Sequence, residues 1–130
     1  MISVSIGVDV PSLEEGLRFY AEALGFVKSA EPFPGVAVLR AGDAELLLLA
    51  KASGSSPSPH TDEKRHYGRH WTPVHIDFHV DDFKGSLAKA LGAGAKQEQL
   101  FENPGRPAVA FCSDPFGHGF CLIENRKRQG

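Results

Sequence analysis

The sequence has few cysteines, little net charge and no long apolar run, and each of these shortages excludes a class of protein. Its 130 residues include two cysteines, Cys112 and Cys121, which show neither CxxC nor zinc-finger spacing and are interpreted as reduced core thiols. Cytoplasm is therefore the expected location. The net charge is −2, so neither nucleic acid nor an anionic membrane is predicted as a partner. The longest apolar run, Leu46–Ala50, is far shorter than the roughly 20 residues of a membrane span.

The sequence does contain an ordered series of short strand and helix patterns. Ile2–Asp9 alternates apolar with small or polar residues, as a half-buried strand does. Ser12 and Glu15 form a capping box at the start of a helix. The apolar positions of that helix recur at helical spacing, at Leu13, Leu17, Tyr20 and Leu24. Three further strand patterns follow, so residues 1–51 predict the order β-α-β-β-β.

Residues 52–72 interrupt the series with the composition of a linker. A connection of this length is usually functional or mobile. Its basic segment, Lys64–His70, is interpreted as a solvated loop, with capture of an anion as the alternative. The strand and helix order then repeats over residues 73–130, with Asp82 as the predicted helix cap. A repeated half of about 60 residues is the strongest signal in the sequence, and it predicts one α+β domain over residues 1–130.

Several segments together carry a resemblance to a known superfamily. They are Val8–Pro11 with Leu17–Tyr20 and Leu24–Phe26, then His75–Asp82, then Ser113–Glu124. In this order they resemble the vicinal-oxygen-chelate (VOC) superfamily of glyoxalases, bleomycin-resistance proteins and extradiol dioxygenases. The resemblance implies that two βαβββ modules pair curved mixed sheets into an open barrel with flanking helices, around a cavity. It also implies a homodimer, in some relatives with swapped halves.

Alternation along the strands predicts which side chains line that cavity. Apolar residues of the fifth strand are expected to face the helix, which leaves His75, Asp77 and His79 for the cavity. The same alternation in the last strand predicts that Phe120, Leu122 and Glu124 also face the cavity. Trp71 is expected to give a flat apolar wall, with core or dimer interface as the alternatives.

The resemblance places the metal-ligand positions of the superfamily on Ser3, Leu49, His75 and Glu124. Only His75 and Glu124 suit a divalent ion, and two ligands are fewer than the three protein ligands of catalytic zinc or non-haem iron sites. Asp77 lies about 6.6 Å from His75 along the strand, near enough to share an ion. A hydrogen-bonded His75–Glu124 pair in a wet pocket is the alternative to a metal site.

Two functions follow from these assignments. In the first, the chain binds a small organic molecule in the cavity, and the family metal site is incomplete. In the second, the chain is a metal-dependent lyase, isomerase or dioxygenase with one Zn, Ni, Mn or Fe ion on His75 and Glu124. The ion would act as a Lewis acid, and Glu124 or Asp77 would act as the base. The loss of two of the four ligand positions favours binding and leaves enzymatic activity an open question.

Overall fold

The computed structural model describes residues 1–125 and divides the chain into two compact units, with the boundary between Gly68 and Arg69. Residues 126–130, which belong to the predicted second half, lie outside the described part. In the described part no helix has the length and apolar character needed to cross a membrane. Each unit has a helix and a four-stranded mixed sheet in the order β-α-β-β-β, so the predicted α+β class and the internal repeat are confirmed.

The first unit contains five elements. They are β1 (Ile6–Val10), α1 (Leu13–Leu24), β2 (Val27–Phe33), β3 (Val36–Ala41) and β4 (Ala44–Ala50). The sheet order is β1-β4-β3-β2. Strands β1 and β4 run parallel, whereas β3 is antiparallel to both of its neighbours. The parallel pair follows from the helical crossover, since a parallel neighbour cannot be reached through a hairpin turn.

Helix α1 starts where the sequence predicts, but it turns a different face to the sheet. The Ser12 hydroxyl accepts a hydrogen bond from the Glu15 amide at 3.1 Å, so the predicted cap is confirmed. The buried residues are Gly16, Phe19, Tyr20 and Ala23, and only Tyr20 belongs to the predicted stripe. The reason is that the helix backbone at Gly16 lies against the sheet, so closely that an added Cβ would be 2.9 Å from Val10. This contact turns the face of Gly16 to the sheet.

The second unit repeats the arrangement. Its elements are β5 (Ile76–Val80), α2 (Phe83–Ala93), β6 (Lys96–Phe101), β7 (Val109–Ser113) and β8 (Gly119–Glu124). The sheet order is β5-β8-β7-β6, again with one parallel pair, β5 with β8. The Asp82 side chain accepts from the Gly85 amide at 3.0 Å, which confirms the predicted cap of α2.

The register of β5 against β8 decides which side chains share a face of the second sheet. Phe78 pairs with Leu122, and paired residues project from the same face. The rings of Phe78 and Phe120 lie 5.8 Å apart, and Leu122 is fully buried. We call this side, on which α2 packs, the helix face. The structure thus places Phe120, Leu122 and Glu124 on the helix face, whereas the prediction grouped them with His75, Asp77 and His79.

The opposite side of the second sheet is here called the open face. Asp77 pairs with Cys121, which in turn pairs with Phe111, and these three side chains project from the open face. His75 and His79 have the parity of Asp77 and share this side. His75, Asp77 and His79 therefore share the open face, with Cys121 rather than Glu124 as their neighbour on β8.

Residues 51–68, the larger part of the predicted linker, lack regular secondary structure but are held to the first unit. Arg65 donates from Nε to the Asp9 carboxylate at 2.7 Å and from Nη1 to the carbonyl oxygen of Ser56 at 2.9 Å. The Gly54 amide donates to the Arg65 carbonyl at 2.7 Å. Since the charge of Arg65 is engaged by a carboxylate, this part of the basic segment anchors the loop and does not favour the alternative of anion capture.

Candidate ligand-binding site

A pocket of about 310 Å³ opens in the second unit, beside the start of β5. Ten residues line it: Arg69, Trp71, Thr72, His75, Glu98, Phe111, Cys112, Gly119, Phe120 and Cys121. All ten belong to the second unit. The volume suits a small organic molecule, and the mixture of aromatic walls with a few polar groups is typical of ligand sites. We call the segment 69–72, which contributes three lining residues, the strap.

The strap is fixed at one end by a bidentate ion pair. Arg69 donates from Nε to Glu98 Oε2 at 2.6 Å and from Nη2 to Oε1 at 2.9 Å. The hydrogen bond between them is the main cause that raises the pKa of Arg69 and lowers the pKa of Glu98. Glu98 lies where the register of β6 shifts between Gln97 and Gln99, and such a bulge re-aims side chains.

Gly119 makes room for this arrangement. A Cβ at residue 119 would lie 2.9 Å from Nη2 and 3.2 Å from Nη1 of Arg69, so the guanidinium lies directly over the first residue of β8. Arg69 Nη1 also donates to the carbonyl oxygen of His70. Neither Arg69 nor Gly119 was predicted as a site residue, because a loop arginine and a strand-initial glycine give no local sequence signal of a contact between them.

A pair of histidines fixes the strap a second time. His70 Nε2 and His118 Nδ1 lie 2.8 Å apart, and the His70 amide donates to the Gly117 carbonyl at 3.1 Å. Buried Asp114 accepts through Oδ1 from the His118 and Phe116 amides, both at 2.9 Å. The turn at residues 114–117 therefore also holds the strap in place.

The open face contributes a compact group of three possible metal donors. His75 Nε2 lies 3.1 Å from Asp77 Oδ1, and one donor atom from each of His75, Asp77 and Cys121 lies within 4.8 Å of the others. Among residues 1–125 this is the one such group of three. Asp77 does not line the pocket itself, but it borders the wall made by His75 and Cys121.

The structure does not bring Glu124 to His75. Glu124 pairs with Val80 at the far end of β8, about five strand positions from His75 and so on the order of 15 Å away. Its carboxylate accepts from the Ala108 amide at 3.2 Å. His79 and Leu122 likewise do not line the pocket, whereas Trp71, His75 and Phe120 do.

The register also corrects the alignment of the two halves. The strand pairs coincide when Ile6 is matched with Ile76 and Leu46 with Phe120. His75 then corresponds to Ser5 instead of the predicted Ser3, and Cys121 corresponds to Leu47. The first unit therefore has Ser5 and Leu47 at the positions that His75 and Cys121 occupy in the second unit.

Both cysteines are expected to be chemically inert in the folded protein when no metal ion is bound. Burial raises the pKa of the Cys112 thiol to about 11 and that of Cys121 to about 12, from an ordinary value of 9.0. Because only the thiolate reacts, neither thiol should react with DTNB at pH 8 until denaturant unfolds the chain. The thiols ionise at lower pH in the unfolded chain than in the folded protein, so high pH favours unfolding. Their contribution to folding stability is complete below pH 9 and is lost as pH rises towards 12. Rapid labelling of the native protein would contradict the assignment.

Comparison with known proteins places the fold in a family. Residues 5–123 match the family model described as a glyoxalase-like domain. No curated protein gives a significant match to the chain.

Solved structures resemble the chain over nearly its whole length. FosX, a fosfomycin resistance protein from Listeria monocytogenes, has a TM-score of 0.71 at 14% identity and covers 97% of this chain and 96% of its own. A hypothetical protein from S. aureus has a TM-score of 0.68 at 20% identity, with 96% and 98% covered. Lactoylglutathione lyase from Agrobacterium tumefaciens has a TM-score of 0.64 at 16% identity, with 95% and 93% covered. Identities this low establish a shared fold and no more.

Proposed function

This chain belongs to the glyoxalase-like domain family of the VOC superfamily, and we propose that it binds a small organic molecule in the pocket under the strap. The observation that supports this most directly is the pocket of about 310 Å³ in the second unit. Its walls combine Trp71 and Phe111 with the polar groups of Arg69, Glu98 and His75. Such a combination provides apolar area for affinity and a few fixed polar groups for orientation.

The way the strap is held also supports a binding site. Three contacts fix its first two residues: the Arg69–Glu98 ion pair, the His70–His118 contact and the hydrogen bond from the His70 amide to the Gly117 carbonyl. A pocket wall that is already ordered in the free protein loses little conformational entropy when a ligand binds. Two related structures, FosX and lactoylglutathione lyase, carry names that refer to small molecules, which agrees with a pocket of this size. The homodimer and the cytoplasmic location stay part of the proposal as predictions from the sequence.

A ligand screen tests the proposal. Trp71 is the one tryptophan of the chain and lies at the pocket, so its fluorescence reports on the site. We expect a thermal-shift screen of small aromatic molecules to give compounds that stabilise the protein and that also change the Trp71 emission. Stabilising compounds that leave the emission unchanged would point to another site, and a screen without any stabilising compound would contradict the proposed function.

A metal-dependent reaction is the second candidate, and the donor group of the open face favours it. His75, Asp77 and Cys121 supply one nitrogen, one carboxylate oxygen and one sulfur within 4.8 Å. Three protein ligands of these types suit zinc, with a further position left for substrate or water. A bound ion would polarise an oxygen of the substrate as a Lewis acid. The donor set therefore fits a divalent ion, although it differs from the predicted His75–Glu124 pair.

Metal content separates the two candidates. If an ion occupies this group, native protein is expected to contain close to one equivalent of metal, and His75→Ala or Cys121→Ser should lose it. Glu124→Gln is the matched control and should keep it, because Glu124 lies at the far end of β8. Elemental analysis of the four purified proteins gives the result. Loss of metal in the His75 and Glu124 variants, with the metal retained in Cys121→Ser, would restore the His75–Glu124 site predicted from the sequence.

A further inference from the structure

We propose that the pocket selects an aromatic molecule that carries a positive charge, such as an amidinium or ammonium group, over its carboxylate analogue. This inference deepens the proposed function and rests on it, since it names the ligand class of the same pocket. It follows from which charges at the pocket are already compensated and which are not.

The positive charge at the pocket is not available to an anion. Arg69 directs two donors at the Glu98 carboxylate and another at the His70 carbonyl. A carboxylate ligand that approached Arg69 would have to displace Glu98 or lie beside it. Like charges at such distances repel, most strongly where water is excluded. The arginine therefore stabilises the wall and does not recruit anionic ligands.

The carboxylate of Asp77, which borders the pocket, is only partly compensated. Asp77 has 42% of its side chain exposed and lies 3.1 Å from His75 Nε2. In the described part of the chain its one salt-bridge partner is His75. Among the described residues no lysine or arginine forms a salt bridge with this carboxylate, which borders the wall formed by His75 and Cys121. A cationic group of a bound ligand would therefore find an unneutralised acceptor there.

The apolar walls suit the rest of such a ligand. Trp71 is 80% exposed and Phe111 is 38% exposed, so each offers ring surface that the protein itself does not cover. Aromatic faces bind a flat ring by stacking, and they also attract cations. Stacking and the attraction between a cation and an aromatic face both favour an aromatic cation, whereas an aromatic anion would gain from stacking alone.

Three isosteric probes test the inference. Benzamidine, benzamide and benzoate share one ring and differ in charge, and each is titrated while Trp71 fluorescence is followed. We expect benzamidine to bind about tenfold more tightly than benzoate, with benzamide between them, as expected for roughly 1.4 kcal/mol. In Asp77→Asn the ratio of benzamidine to benzoate affinity should fall below about threefold, by loss of benzamidine binding. Asp81→Asn, which removes a carboxylate just beyond the far end of β5, is the control and should keep the full ratio.

The possible results distinguish failure of the inferred ligand class from failure of the proposed binding function. Binding of benzamide with no preference between benzamidine and benzoate would overturn the inference and leave the pocket intact. A preference that Asp77→Asn leaves unchanged would also overturn it. If none of the three probes binds although compounds from the screen do, the inference fails and the proposed function stands. If no compound of any kind affects Trp71, both fail together.

Discussion

Replacement of Leu122 by alanine is expected to lower the free energy of unfolding by about 2–5 kcal/mol. Leu122 lies in the middle of β8, is fully buried and pairs with Phe78 and Ala110 on the helix face. Truncation removes apolar contacts and leaves a cavity that the surrounding sheet and helix can only partly fill. Chemical denaturation followed by circular dichroism measures the change.

Ile123 is the matched control for this substitution. It is the next residue along β8, it projects from the open face, and it is only partly buried. We expect Ile123→Ala to cost about 1 kcal/mol. A larger loss for Ile123 than for Leu122 would show that the two faces of β8 have been interchanged, and Glu124 would then return to the side of His75.

Gly119→Val is expected to weaken binding of pocket ligands at least tenfold while the protein stays folded. A Cβ at this position would already lie 2.9 Å from Arg69 Nη2, and a branched side chain would take the place of the guanidinium. The strap would then lose its ion pair with Glu98, and with it the position of Trp71. Since both partners of that pair are more than a third exposed, its loss should cost only about 0–1 kcal/mol of stability. Valine also suits a strand better than glycine does.

Gly92→Ala provides the control for a glycine substitution in the same unit. Residue 92 lies in α2, and an added Cβ would meet no atom within 4 Å. We expect unchanged ligand binding and a gain in stability of roughly 0.5–1 kcal/mol. Thermal shift and Trp71 fluorescence, measured on both variants, test the pair of predictions together. A Gly119→Val protein that keeps full affinity would show that the strap is not part of the binding site.

The architecture was predictable because its signals are local. The caps at Ser12 and Asp82 depend on residues three positions apart, and the strand and helix order depends on short periodic patterns. The repeat of the same order of elements in the two halves could be recognised for the same reason. The buried face of α1 was not predictable in this way, because the close approach at Gly16 depends on Val10 and Leu48 of the sheet.

The site was predictable only in part, because its remaining contacts are long-range. His75 and Asp77 were identified from alternation within one strand. Their third neighbour depends on the register between β5 and β8, and a shift of one residue exchanges the faces of a strand. The prediction assigned Phe120, Leu122 and Glu124 to the face of His75, where the structure has Cys121. Contacts such as Arg69 with Glu98, 29 residues apart, leave no pattern in the sequence.

Mapping a bound ligand by NMR tests the central claim most directly. A stabilising compound from the screen is titrated into ¹⁵N-labelled protein, and the shifts of backbone amides are followed. We predict that the largest shifts cluster in the strap, residues 69–72, and at Gly119 to Cys121, with little change in β2 and β3. Shifts that instead concentrate in residues 1–68, or in the cleft beside Asp81 and Glu124, would contradict a binding site under the strap.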